Sequence, residues 1–205
     1  MSAIFKSTQQ AVFFSFLIEA QPARDGGSLG MLLDRLKLEA TGMREIKEVS
    51  TINFSGLRDL EIRGQAAMVR SAVMHLPSPE SWALRSRYGA SNLQRGADRS
   101  IIRAGFSQDR AYAMMQLASY LEPAFGTLSN MAILLLVARV CGECDELRPR
   151  FEAIVKEAGS SLGTLHKYEK QIKVRVRSLC NVGIDRLTPN FVRDGLVCNE
   201  VEETI

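Results

Sequence analysis

Between Arg148 and Arg186 the sequence places nine lysines and arginines against four acids, a local charge of +5 in a chain whose total is +3. Within that span His166, Lys167, Lys170, Lys173 and Arg177 recur every one to four residues. On a helix this spacing gathers them on one side. The chemistry such a set can do is binding rather than bond making: attraction to a polyanion, weakened by salt, and N–H donors long enough to reach phosphates and base edges. Leu165, Tyr168, Ile172, Val176 and Leu179 interleave with the basic residues at helical spacing and form the opposite, inward face.

A second cationic stretch lies upstream. From Leu76 to Arg110 the cations are Arg85, Arg87, Arg95, Arg99, Arg103 and Arg110, with no lysine, and Asp98 and Asp109 are the acids after Glu80. Arginine alone points to forked contacts with phosphates or carboxylates. Ion pairs inside the protein are the competing use of the same residues. Arg85 and Arg87 join the candidate binding residues on this ground.

Other chemistries find less support. The pair Cys141 and Cys144 has the spacing of a zinc knuckle, but Cys180 and Cys198 are singletons and the only histidines are His75 and His166. A structural zinc site needs a second matching pair, so reduced thiols and no metal are expected. No nucleophile elbow, zinc-protease helix or phosphate loop occurs. The chain is not expected to be an enzyme, and no catalytic residue or cofactor is assigned.

The elements that must position these residues read as helices almost throughout, and the expected fold class is all-α. Ser7 and Thr8 cap a first helix to about Glu19, with Val12, Phe13, Phe16 and Leu17 on one face. Ala23 to Gly27 reads as a loop, Leu29 to Ala40 as a helix, and Val49 to Phe54 as strand-compatible or irregular. A helix over Leu57 to His75 offers Leu60, Ile62, Ala66, Met68 and Val73 for burial, and Pro77 stops it. Ser78 and Pro79 open the next helix. Ser107 caps one to about Glu122, using Tyr112, Met115, Leu117 and Leu121; Thr127 begins an apolar helix ending near Cys141. Pro149 starts another that ends at Gly159, where glycine permits the left-handed turn. Ser161 caps a last helix to about Cys180, ahead of a tail containing Pro189. Three divisions are expected: 1–54, a helical segment of unknown role; 55–197, a helical binding domain; and 198–205, an acidic tail.

The stretch from Arg150 to Gln171 resembles a helix-turn-helix. Gly159 matches the turn glycine, and Ser161 and Thr164–Leu165 match the serine and Thr-Val/Ile positions of that pattern, while Ser160 stands where an apolar residue is usual. LP…ALRSRYGA, from Leu76 to Ala90, is similar to the first helix of the promoter −35-binding region of bacterial sigma factors, and TLHKYEKQIKVRVRSL, from Thr164 to Leu179, is similar to its second part. The two parts are separated here by roughly sixty residues. A sigma-like module with an insertion resembles the late-gene (Q-type) antiterminators of temperate phages, over about Leu57 to Val197. The resemblance implies a helical bundle carrying a region-4-like helix-turn-helix with a helical insertion. It also implies double-stranded DNA and bacterial RNA polymerase, with or without a sigma factor, as partners. Ser161, Thr164, His166, Lys167, Lys170, Lys173 and Arg177, with Arg85 and Arg87, are then the residues that meet DNA. The implied activity is to carry polymerase past terminators.

A repressor or activator sharing the same DNA site, and an adaptor that binds polymerase without DNA, are the alternatives. No apolar run reaches the roughly 20 residues a membrane span needs, so no membrane partner is expected. The expected location is the cytoplasm of a bacterial host.

Overall fold

A computed structural model of the chain describes residues 4–19, 58–95, 101–142 and 145–198. The expected loop at 23–27, helix at 29–40 and irregular piece at 49–54 lie outside the described residues. Seven α-helices and one two-stranded sheet are present among those described. They fall into two compact units, one built from residues 1–76 and 183–205, the other from 77–182. These units divide at Leu76 and Val182.

In the first unit, α1 (Thr8–Glu19) starts where expected, and the Ser7 hydroxyl accepts from the Gln10 amide at 3.1 Å. Every residue from Gln10 to Phe16 is buried, so α1 is enclosed on all sides rather than along one stripe. It packs on α2 (Asp59–Met74). On α2 the buried residues are Ile62, Ala66, Val69 and Val73, a single stripe at i, i+4, i+7 and i+11. Leu60 and Met68 were expected inside but point to solvent, 82% and 57% exposed. Both lie on the opposite side of the helix from Ile62, so no rotation buries the two sets together. Phe5 bridges to Val197: its amide donates to the Leu196 carbonyl at 2.9 Å, and its carbonyl accepts from Cys198 at 3.2 Å. The hydroxyls of Thr8 and Thr188 meet at 2.8 Å.

The second unit begins with α3 (Ser78–Tyr88), followed by a hairpin of β1 (Ser91–Arg95) and β2 (Ile101–Phe106). The strands are antiparallel, Ser91 opposite Phe106, with an irregularity after Gln94. The hairpin is a minor addition to a mostly helical fold: its sequence, polar in β1 apart from Leu93, lacks the clean two-residue alternation that marks a strand. Then come α4 (Gln108–Leu121), a 3-10 turn over Glu122–Phe125, α5 (Asn130–Cys141), α6 (Phe151–Ala158) and α7 (Leu162–Arg193). Ser107 and Ser129 cap α4 and α5 through their hydroxyls. Tyr112 and Met115, expected to pack inward, are half exposed on α4; Ala113, Met114, Leu117, Ala118 and Leu121 are buried instead. Cys141 is buried at the end of α5, and Cys144 lies outside the described residues.

Arg110 sits at the centre of this unit with no solvent exposure. Its Nε donates to the Ser86 carbonyl at 2.9 Å, and its Nη2 to the carbonyls of Arg87 at 3.2 Å and Cys141 at 2.8 Å. Nη1 donates to the Ser91 hydroxyl, and the guanidinium lies 4.9 Å from the Phe106 ring centre. The three carbonyls belong to the last turns of α3 and α5. There a helix leaves its C=O groups without internal partners and carries partial negative charge. One buried cation thus caps two helix ends and holds the hairpin base between them. Gly89 allows the close approach, since a Cβ there would stand 2.4 Å from the Arg85 carbonyl and 3.0 Å from the Arg110 side chain.

Candidate nucleic-acid interface

The region from α6 to α7 is built around one corner. α6 ends at Ala158, and Gly159 takes the left-handed conformation, φ 60°, while its amide closes on the Val155 carbonyl at 2.9 Å. Ser160 donates its hydroxyl to the Ala158 carbonyl at 3.3 Å, a local bond that gives this polar residue a place in the turn. The Ser161 hydroxyl accepts from the Thr164 amide at 3.3 Å and meets the Thr164 hydroxyl at 2.9 Å. Ser161 and Thr164 therefore cap α7. Gly159→Ala would meet no atom within 4 Å, so its cost is backbone strain alone, about 1–2 kcal/mol. A denaturant titration should show this loss, with Gly159→Asn closer to wild type.

α7 is anchored along one side. Leu165, Ile172, Val176 and Cys180 are buried. Tyr168 donates to or accepts from the Thr127 hydroxyl at 2.8 Å and stands edge-on to Phe125, ring centres 5.8 Å apart; Arg175 lies over the same Phe125 at 5.4 Å. Glu169 takes the Arg139 Nε of α5 at 3.1 Å and approaches His166 Nδ1 at 3.6 Å. Phe151, the first residue of α6, contacts Arg139, 3.9 Å from its ring centre, and, at a tilt of 57°, the His166 ring, with ring centres 4.3 Å apart. Arg139, Phe151, His166 and Glu169 form one cluster that joins α5, α6 and α7.

The other side of α7 faces water. His166, Lys167, Lys170, Lys173 and Arg177 are all exposed, and so is Val174 among them. The structure thus brings together five of the nine residues singled out from sequence, on one exposed helix face. Ser161 and Thr164 stand at the start of that helix. Arg85 and Arg87 are placed differently. Arg85 is buried on α3, its Nε 3.1 Å from Asp109 Oδ2 and its Nη2 against Oδ1. Arg87 is half-buried, with its guanidinium 5.4 Å from the Tyr88 ring. Arg85 is thus held in an internal pair, the use of forked arginines that competes with phosphate binding.

Sequence reasoning missed Arg139 and Phe151, which support the site from behind. Arg139 stands inside the apolar run MAILLLVARV, and a lone cation in such a run signals a partner on a neighbouring element. Among the described residues no single helix is long and apolar enough to cross a membrane. Fold and site define a mostly helical protein presenting one firmly anchored helix that is basic on its outer face. Protein-family profiles and curated proteins give no match to the chain.

Proposed function

We propose that the protein is a DNA-binding transcription regulator that lays the outer face of α7 against duplex DNA. The observation that supports this most directly is the division of α7: a buried stripe on one side, and His166, Lys167, Lys170, Lys173 and Arg177 exposed on the other. A helix that is anchored on one side and presents donors and positive charge on the other is suited to a major groove. Gly159 and Ser161 set a corner between α6 and α7 of the kind a helix-turn-helix uses. The more specific reading, a late-gene antiterminator acting on RNA polymerase, rests on the similarity to sigma −35-binding regions.

Selection of bound duplexes from a random pool tests the reading, followed by transcription of the selected site upstream of a terminator. Enrichment of one sequence, with more read-through, is the expected result. Enrichment with loss of initiation makes the protein a repressor; no enrichment at any salt concentration removes DNA from its function. The half-exposed Tyr112, Met115 and Tyr120 on α4 favour one second reading, an adaptor that contacts polymerase through protein alone. Capture of polymerase without any DNA affinity would select it.

A further inference from the structure

We infer that the arginine-lined cavity beside the start of α6 is a phosphate site, and that the phosphate it takes is one in the backbone of the nucleic acid held by α7. This extends, and rests on, the DNA-binding reading above. The cavity has a volume of about 360 Å³ and is lined by Arg139, Asp145, Glu146, Arg148 and Arg150. None of these belongs to the exposed face of α7.

Three features fit a phosphate. First, two of the three arginines are preorganised. Arg139 is fixed by Glu169, by the Pro149 carbonyl accepting from Nη1 at 3.0 Å, and by the Phe151 ring; Arg148 is fixed by the Gly142 carbonyl accepting from Nε at 2.9 Å. Each guanidinium has five donors in a planar fork, so these contacts orient it and leave donors over. An oriented fork is the arrangement that binds phosphate through two N–H groups. Second, guanidinium donors outnumber the carboxylates at the cavity. Among the lining residues three guanidinia stand with two carboxylates, and Glu169, outside the lining, pairs with Arg139. The Asp145 side chain is 97% exposed and 3.6 Å from Arg148, a contact in water worth little. Third, the cavity adjoins the basic helix. Arg139 lines it and lies over the Phe151 ring, and that ring meets His166, the first residue of the exposed α7 face, in a tilted contact. A duplex lying on α7 carries its backbone past that row. Contacts of this kind set register and orientation and carry no sequence information.

The test uses the full chain in two arms. In the first, the arginine Nε–H NMR signals are followed during titration with inorganic phosphate against chloride of equal ionic strength. Saturable shifts of the Arg148 and Arg150 signals are expected, lost in Arg150→Gln. In the second, Arg150→Gln is measured on the selected duplex and on an unrelated one. The expected loss is about threefold to tenfold and equal for both, with the salt slope reduced by about 1. Arg150 is exposed, and an unchanged melting curve confirms the variant's fold. Linear, non-saturating shifts overturn the site. Saturable shifts without any loss of DNA affinity support a phosphate site and overturn its nucleic-acid source. Wild type that shows the shifts but binds no duplex overturns the DNA-binding reading and leaves the site standing for a free phosphate.

Discussion

If α7 lies on duplex DNA as proposed, a chain carrying glutamate at both Lys167 and Lys170 is expected to bind that duplex about 100-fold more weakly than wild type at roughly 0.1 M salt. The expectation follows from charge and position. Both lysines are exposed on the outer side of α7, a face away from the buried Leu165, Ile172 and Val176. Each lysine that neutralises a phosphate releases counterions, so losing two lowers the slope of log affinity against log salt by about 1.8. The new carboxylates add repulsion, which is why reversal exceeds removal. Neither side chain holds the fold, so melting should move by no more than about 0.5 kcal/mol. Fluorescence anisotropy across a salt series, with calorimetry alongside, measures both quantities. An unchanged slope would take DNA away from this face. A lost fold would mean that the lysines had structural partners.

The second large effect belongs to Arg110. Replacing it by methionine keeps most of the side-chain volume but strips the donor from the carbonyls of Ser86, Arg87 and Cys141. Two effects oppose each other. Removing a buried charge relieves its desolvation, and swapping buried ions for apolar groups is often neutral. That result applies where the partner is removed as well. Here the partners are main-chain carbonyls at helix ends, which no substitution deletes, and each one left buried and unpaired costs about 1–3 kcal/mol. The unpaired carbonyls win, and Arg110→Met should lose about 3–5 kcal/mol, or roughly 10 °C in melting temperature for a chain of this size. Arg110→Lys should recover less than half, because one ammonium cannot span acceptors on α3, β1 and α5. A melting temperature within about 2 °C of wild type for Arg110→Met would show that these carbonyls find other donors.

Much of this arrangement is legible in the sequence because it is written in local chemistry. Gly159, Ser107 and Ser161 announce their corners by residue type, since a left-handed turn and an uncapped amide each admit few side chains. The two faces of α7 follow from spacing alone. What spacing does not reveal is which of several apolar stripes a helix buries. On α2 and α4, Leu60, Met68, Tyr112 and Met115 are as apolar as the residues that are buried, and only the packed neighbours decide between them. Pro189 misled in another way. α7 continues through it to Arg193 at the cost of the i→i−4 bond that proline cannot donate, and Leu187 and Phe191, buried on either side of it, hold the helix there. The arginine-rich stretch was ambiguous in principle. Forked contacts were legible, but their acceptors, Asp109 for Arg85 and three carbonyls for Arg110, come from elements whose proximity only the fold creates.

The stitching of Phe5 to Val197 and of Thr8 to Thr188, the latter 180 positions apart, bears on how the molecule is made. During synthesis α1 emerges ahead of α2, on which it packs, and far ahead of residues 187–197, which complete its surroundings. Until the later residues arrive, Ala11 to Ile18 have only α2 to cover them. Long-range closure of this kind slows folding and leaves an exposed apolar segment open to misassociation. The residues 77–182 can fold in the meantime. A translation arrest placed just after Val182 should therefore yield a chain in which the second unit resists protease and α1 does not.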